Sequence, residues 1–300
     1  MHKALLILDS ETERKHVLSF IPVRHKIFEA GTCDDGIDII KNQRPNFVLL
    51  GSPHIEKFEL EFLQKTISLP SRPPIIIINF NKPQNYIIDC LNHGALNTIF
   101  YPDELVEIET LTSLYIELGF RLSDKHSLLL QHISREKKSI TLHSADMRDA
   151  EISGFFLDSF FQSAKTIFSD SNYMGILNAV YEMLFNAYEH GNLHITSDEK
   201  EDALQKNNYQ QLLDERFAVY QGTKIYMDYE FNRRRIKISI EDEGDGFNHD
   251  AIFEMLKLRQ IDSYSGRGIT IARHFFDSVD YNYSGNRVIM MKKAENEPHN

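Results

Sequence analysis

Between Met1 and about Arg121 the chain trades short apolar runs for amphipathic stretches, over and over. Ala4–Leu8, Lys26–Phe28, Phe47–Leu50, Pro74–Ile78 and Thr98–Phe100 read as strands. The segments between them carry helical spacing, as with Ile37 and Ile40 ahead of the turn at Pro45. Five strands alternating with five helices predict an α/β fold, a doubly wound five-stranded parallel sheet. Ligands of such sheets sit at the carboxyl ends of the strands, so those positions are the ones to inspect.

From Ser139 onward the pattern lengthens. Ser139–Leu142 reads as a short strand, and Asp146–Phe168 as a long amphipathic helix with Met147, Ala150, Phe155, Phe160, Phe161, Ala164 and Ile167 on its apolar stripe. A second helix is predicted over Tyr173–His190, buried through Ile176, Leu177, Val180, Met183, Leu184 and Ala187. Arg235–Glu241 alternates as a half-buried strand and runs into Asp242-Glu243-Gly244-Asp245-Gly246. Ser263-Tyr264-Ser265-Gly266-Arg267-Gly268-Ile269 leads into a last helix reaching about Asp277. Ser123–Lys138 is polar and reads as a helix continuing from the first part. Ile195–Lys224 reads as an insertion of one or two surface helices around Asp198-Glu199-Lys200-Glu201-Asp202.

Composition narrows the classes. Three hundred residues predict two domains: residues 1–121, a helical linker 122–138, a second domain 139–293 and a disordered tail 294–300. The balance of 33 basic against 44 acidic residues, a net charge of −11, argues against nucleic-acid binding through a general basic face. Arg233-Arg234-Arg235 then reads as a solvated hairpin end. No apolar run approaches the roughly 20 residues that span a bilayer, and the amino terminus lacks the apolar core and cleavage site of a signal peptide. Cys33 and Cys90 supply neither a disulfide framework nor a zinc cluster. The expected location is the cytoplasm, with no membrane partner.

The chemistry concentrates in the second domain. Glu182, Asn186 and His190 recur one turn apart, so they share one predicted helix face. An amide oxygen is a neutral hard ligand for magnesium, and a carboxylate one turn earlier can take a proton from an attacking hydroxyl. Asp242 at a strand end can accept a hydrogen bond from an exocyclic adenine amine, with Gly244 and Gly246 letting the backbone turn closely. The alternative for this stretch is an acidic hairpin turn. The glycine- and serine-rich entry to the last helix exposes backbone N–H groups to phosphates, and Arg267 adds charge-assisted bonds.

In the first domain, Leu5-Leu6-Ile7-Leu8-Asp9-Ser10, Pro45-Asn46-Phe47-Val48-Leu49-Leu50-Gly51, His93-Gly94-Ala95-Leu96-Asn97 and Phe100-Tyr101-Pro102 resemble the strand signatures of two-component response-regulator receivers. The family's phosphoacceptor aspartate is here Gly51, its second acidic residue is Ser10, its lysine is Tyr101 and its hydroxyl residue is Asn79. With Asp9 alone unable to assemble a magnesium site, the expected role is a receiver-shaped module used for docking or dimerisation; the alternative is phosphorylation at a displaced aspartate such as Asp9.

The three motifs of the second domain, in their order, resemble the N, first-glycine and second-glycine boxes of the GHKL ATPase superfamily over roughly Ser139–Lys293. Glu182-x-x-x-Asn186-x-x-x-His190-Gly191 and the short interval Asn248–Tyr264 are most like the bacterial anti-sigma-factor serine/threonine kinases. The resemblance implies an α/β sandwich with helices on one face of a mixed sheet. It implies Glu182 as catalytic base and Asn186 as magnesium ligand, with Asn186, His190, Asp242, Gly244, Gly246, Ser265, Gly266, Arg267 and Gly268 around ATP. The expected cofactors are ATP and Mg2+; the expected partners are an antagonist protein and a sigma factor, and a homodimer is allowed. Gly285-Asn286-Arg287-Val288 departs from the family's glycine and threonine run. Two other readings stand beside the kinase: an ATP-gated binding module without kinase activity, and a diverged histidine kinase. His132 would be the phosphoacceptor of the last, but that needs a two-helix hairpin, and the stretch around it allows one helix of about 27 Å.

Overall fold

The computed structural model describes residues 2–67, 69, 72–113, 116, 130–148, 156–248 and 266–295. The chain divides into two compact units, Met1–Arg121 and Leu122–Asn300.

In the first unit the elements run β1 Lys3–Leu8, α1 Glu11–Leu18, β2 Lys26–Ala30, α2 Cys33–Gln43, β3 Phe47–Gly51, α3 Phe58–Thr66, β4 Ile75–Asn79, α4 Gln84–Asn92 and β5 Asn97–Phe100. Residues 108–113 are helical after a short 3-10 turn at Leu105–Glu107. Every strand pairing is parallel, in the order β2-β1-β3-β4-β5. Strands β3 and β4 are buried along their whole length, which is why their sequences are continuous apolar runs and not alternating ones. This is the flavodoxin-like and receiver-like winding, whose order reverses between β1 and β3 and so opens its crevice at their carboxyl ends.

The second unit is an α/β sandwich. Its elements are β6 Arg135–His143, α5 Asp170–Asn186, α6 Ser197–Gln205, α7 Tyr209–Tyr220, β7 Lys224–Asn232, β8 Arg235–Asp242, α8 Arg267–Phe275, β9 Ser278–Tyr281 and β10 Arg287–Lys293. The sheet order is β6-β7-β8-β10-β9, and each described pairing is antiparallel, so the expected mixed sheet narrows to an antiparallel one here. Ile225, Met227, Tyr229 and Phe231 alternate inward from β7 and Ile236, Ile238 and Ile240 from β8. Helix α5 covers this face and is buried without a break from Tyr173 to Leu184. Helix α8 packs so closely on it that a Cβ at Gly175 would lie 2.1 Å from the Phe275 ring.

Three local expectations change. Arg135–Lys138, read as the end of a helical linker, are the start of β6, because pairing with β7 from Arg135↔Asn232 to His143↔Lys224 gives their backbone its partners; residues 117–129 lie outside the described residues. The long helix expected over Asp146–Phe168 is broken. Asp146–Arg148 and Gln162–Thr166 are 3-10 turns, with residues 156–160 helical between stretches. Lys138 Nζ takes the Phe160 carbonyl at 2.7 Å, which an α-helix would give to Ala164; Ala164 N–H turns to Phe161 O at 2.9 Å instead. Finally, Ala294 and Glu295, placed in a disordered tail, are tied down. The Glu295 carboxylate accepts Ser169 N–H at 3.0 Å at the amino terminus of α5, where the helix dipole favours an anion.

Candidate functional site

The crevice of the first unit is filled by packing. A Cβ at Gly51 would lie 2.5 Å from the Ile78 carbonyl oxygen and 3.0 Å from both the Ile78 Cβ and the Phe80 ring. Ser10 donates to Glu13, and Asn79 closes the next turn, accepting Lys82 N–H at 2.7 Å. The rings of Phe80 and Tyr101 stack at 4.5 Å, and the Tyr101 hydroxyl meets His16 Nδ1 at 2.9 Å. Ser52 Oγ accepts His54 and Ile55 N–H, while Ser52 N–H is held by the fully buried Glu59, whose carboxyl is pushed above its ordinary range by burial. Ser10, Gly51, Asn79 and Tyr101 are thus each engaged by neighbours.

In the second unit, helix α5 presents Glu182, buried, and Asn186, half-buried. The helix does not continue regularly to His190: at Ala187–Asn192 it widens into a π turn. The wider turn breaks the four-residue repeat that would have kept His190 in line with Glu182 and Asn186. His190 is exposed, and its Nδ1 lies 2.5 Å from the Ile195 carbonyl. The same turn brings in Gly191, a residue outside the expected site. A Cβ on Gly191 would sit 2.4 Å from Asp242 Cγ, and a Cβ on Gly244 would sit 2.4 Å from Gly191 O. The two glycine backbones therefore lie directly against the Asp242 carboxylate, in space that no side chain could share.

Strand β8 delivers Asp242 to this point. Its Oδ1 accepts Gly244 N–H at 2.9 Å, and its backbone is locked to the β9–β10 turn by Asp242 N–H to Asn286 O and Asn286 Nδ2 to Asp242 O, both at 3.0 Å. Burial pushes the carboxyl up to about 6; the Gly244 N–H opposes this and the Glu241 charge adds to it. Tyr281, on β9, contacts Met183 Sδ through its hydroxyl at 3.6 Å, and burial with the nearby Asp242 charge raises its own ionisation well above normal. Gly246, at φ +75°, needs its glycine: a Cβ would meet Ser284 O at 2.0 Å.

Helix α8 completes the arrangement. Gly266 caps it in a left-handed conformation, φ +91°, and its carbonyl accepts Thr270 N–H at 2.9 Å. Gly268 lies on the α5 face, where a Cβ would be 2.9 Å from Asn186 Nδ2 and 3.3 Å from Glu182 Cβ. Arg267 reaches the same face, its Nη2 lying 3.5 Å from Glu182 Oε2 with both side chains nearly buried. The structure thus brings Glu182, Asn186, Arg267 and Gly268 together along α5, and Asp242 with Gly244 and Gly191 at the strand end. Ser265 lies outside the described residues. Tyr281 had no signal in the sequence and Asn286 stood only in the stretch that departs from the family's glycine and threonine run; the pairing of β10 with β8 and β9 is what delivers them. Among the described residues no group of three or more His, Cys, Asp or Glu converges as a metal cage, and no helix is long and apolar enough to cross a membrane.

A sandwich with a glycine cradle at a strand end and a helix amino terminus beside a polar helix face is a nucleotide-binding arrangement. Residues 157–292 match the family model of the histidine kinase-like ATPase domain, which supports ATP binding by this part of the chain. No curated protein matches the sequence. Similar solved structures include the N-terminal domain of an uncharacterized protein from Wolinella succinogenes, 17% identical with a TM-score of 0.36, covering 41% of this chain and 98% of that one. A CheY-like response regulator receiver domain protein from Methanospirillum hungatei JF-1 is 16% identical, with a TM-score of 0.38 and coverage of 41% and 99%. The signal receiver domain of a signal transduction histidine kinase from Syntrophus aciditrophicus is 15% identical, with a TM-score of 0.35 and coverage of 43% and 99%.

Proposed function

We propose that the second unit binds magnesium-ATP and transfers its γ-phosphoryl group to a serine or threonine hydroxyl of an antagonist protein, as an anti-sigma-factor type kinase in a partner-switching system. The observation that carries the reading is the pair of glycine backbones, Gly191 and Gly244, laid against the Asp242 carboxylate. That leaves a flat cradle with one acceptor, which fits an adenine edge. In this reading Asp242 accepts the adenine amine, and the amino terminus of α8 with Gly266, Arg267 and Gly268 faces the phosphates. Asn186 is the chain's own magnesium ligand. A single amide is sufficient, because magnesium keeps several waters and takes its other ligands from substrate phosphates. Glu182 accepts the proton of the attacking hydroxyl as the new oxygen–phosphorus bond forms and the bond to the leaving ADP oxygen breaks. His190, exposed and turned to Ile195, stands at the rim.

A second reading is favoured by one contact. Arg267 engages Glu182, and a carboxylate turned to a guanidinium is not free to meet an attacking hydroxyl. An ATP-gated binding module, gripping its partner without phosphorylating it, would keep that pair intact. The diverged histidine kinase has less support, because His132 lies in a short 3-10 turn directly before β6.

The test supplies labelled ATP to the full chain with candidate antagonist proteins recovered by co-purification in the presence and absence of ATP. Wild type should transfer label. Glu182→Ala should bind ATP nearly as well and lose transfer by about 10²–10⁴-fold. Tight binding of ATP and partner by wild type with no transfer replaces the kinase with the binding module.

A further inference from the structure

One buried carboxylate fastens the inserted helix pair to the nucleotide cradle. Glu189, on the π turn, is buried, and its Oε2 accepts a hydrogen bond from Lys200 Nζ of α6 at 2.9 Å. The Tyr209 hydroxyl, at the start of α7, donates to its Oε1. Lys200 also lies over the Tyr209 ring, 5.4 Å from its centre. One side chain of the turn therefore holds both inserted helices. The pair is itself braced by the Arg216–Glu199 ion pair and by the Thr196–Glu199 capping box.

The other side of the same turn is the cradle. Gly191, two residues on, lies against Asp242, and Asn192 Oδ1 accepts Glu243 N–H at 3.0 Å. Asn192 is fully buried and donates its amide to Ser144 Oγ and Lys224 O, both at 3.2 Å. Both carboxylate oxygens of Glu189 are engaged by the helix pair, so a displacement of the helices is passed to the turn that carries it.

We propose that Glu189 is a positioning residue, through which helices α6 and α7 hold the Gly191–Asp242 cradle in shape and so set nucleotide affinity. The coupling of helices to cradle stands on the geometry alone; its effect on nucleotide rests on the ATP-binding reading.

The experiment reads both parts on the full chain. Hydrogen exchange without nucleotide follows the amides of Glu243 and Gly244, and calorimetry follows magnesium-ATP affinity. Lys200→Met and Glu189→Gln should each speed exchange at Glu243 and Gly244 and raise the Kd for ATP, by about tenfold in each measure. Lys200→Arg, which restores a cation to Glu189, should return both to wild-type values. Tyr209→Phe, which removes one donor and leaves the ion pair, gives the same direction with a smaller effect and serves if the other variants do not fold. Faster exchange confined to α6 and α7, with Glu243 and Gly244 protected as in wild type, overturns the coupling, as does failure of Lys200→Arg to rescue. If exchange at the cradle responds and Kd does not, the effect on affinity is wrong. If wild type binds no ATP at all, the nucleotide reading fails, and exchange at Glu243 and Gly244 still decides the coupling.

Discussion

Asp242 shows what a change of surroundings does to a single carboxyl. In water it would release its proton near 3.8, whereas in the fold burial holds the proton up to about 6. Below the lower value the group is neutral whether the chain is folded or not. Between the two, the unfolded chain ionises first, so folding stability should fall as pH rises through that window and then level off above about 6. Asp242→Asn should remove this slope in urea titrations between pH 4 and 7. In the proposed site the charged form accepts the adenine amine, so ATP affinity should weaken as pH falls below about 6. The Asn variant should bind about 1.5–3 kcal/mol more weakly at pH 7 and show no such pH dependence. Calorimetry across pH checks both, and unchanged affinity would take Asp242 out of the site. The residue itself was legible in the sequence, as an aspartate ending an alternating strand before two glycines. Its ionisation was not, because burial drives it, and only the fold lays Gly191 against the carboxylate.

At the scale of elements, periodicity named α5 correctly by its stripe and misjudged its end. Nothing in Ala187–Asn192 distinguishes a π turn from a continuing helix; the choice is made by Glu189 reaching Lys200 and Gly191 reaching Asp242. The broken segment before α5 failed for a similar reason: its apolar residues have helical spacing, but a lysine on a distant strand takes one of its carbonyls. The α5–α8 contact has its own test. Gly175 is the point of closest approach, and Gly175→Ala would drive a methyl into the Phe275 ring. The substitution should cost about 1–3 kcal/mol despite alanine's better helix propensity. Urea denaturation should show a lower midpoint with an unchanged slope.

For the molecule as a whole, the first unit's parallel winding was legible in its short apolar strands, whereas the second unit's sandwich came from the family resemblance: only Ser139–Leu142 and Arg235–Glu241 read as strands there, and β7, β9 and β10 are supplied by pairing in the fold. The first unit has a receiver-like winding in which Gly51 is closed in by Ile78 and Phe80. Incubation of the full chain with acetyl phosphate and magnesium, followed by intact mass and peptide mapping, should show no phosphoryl group on residues 1–121. An adduct there would mean that Asp9 or another oxygen serves after all.

Gly51 also fixes the direction in which this unit can change over evolutionary time. Two of the four glycine codons are one base away from an aspartate codon, so on paper a nucleophile can be a single mutation distant. In the fold, the first carbon of that side chain would already meet the Ile78 carbonyl at 2.5 Å, and the space beyond is taken by Phe80. An aspartate variant would lose stability before it gained any chemistry, because β4 and Phe80 would have to be rebuilt first and Ser10, Asn79 and Tyr101 replaced besides. Phosphoryl chemistry at this place would therefore take several coordinated substitutions, with the packing rebuilt before the nucleophile could be used.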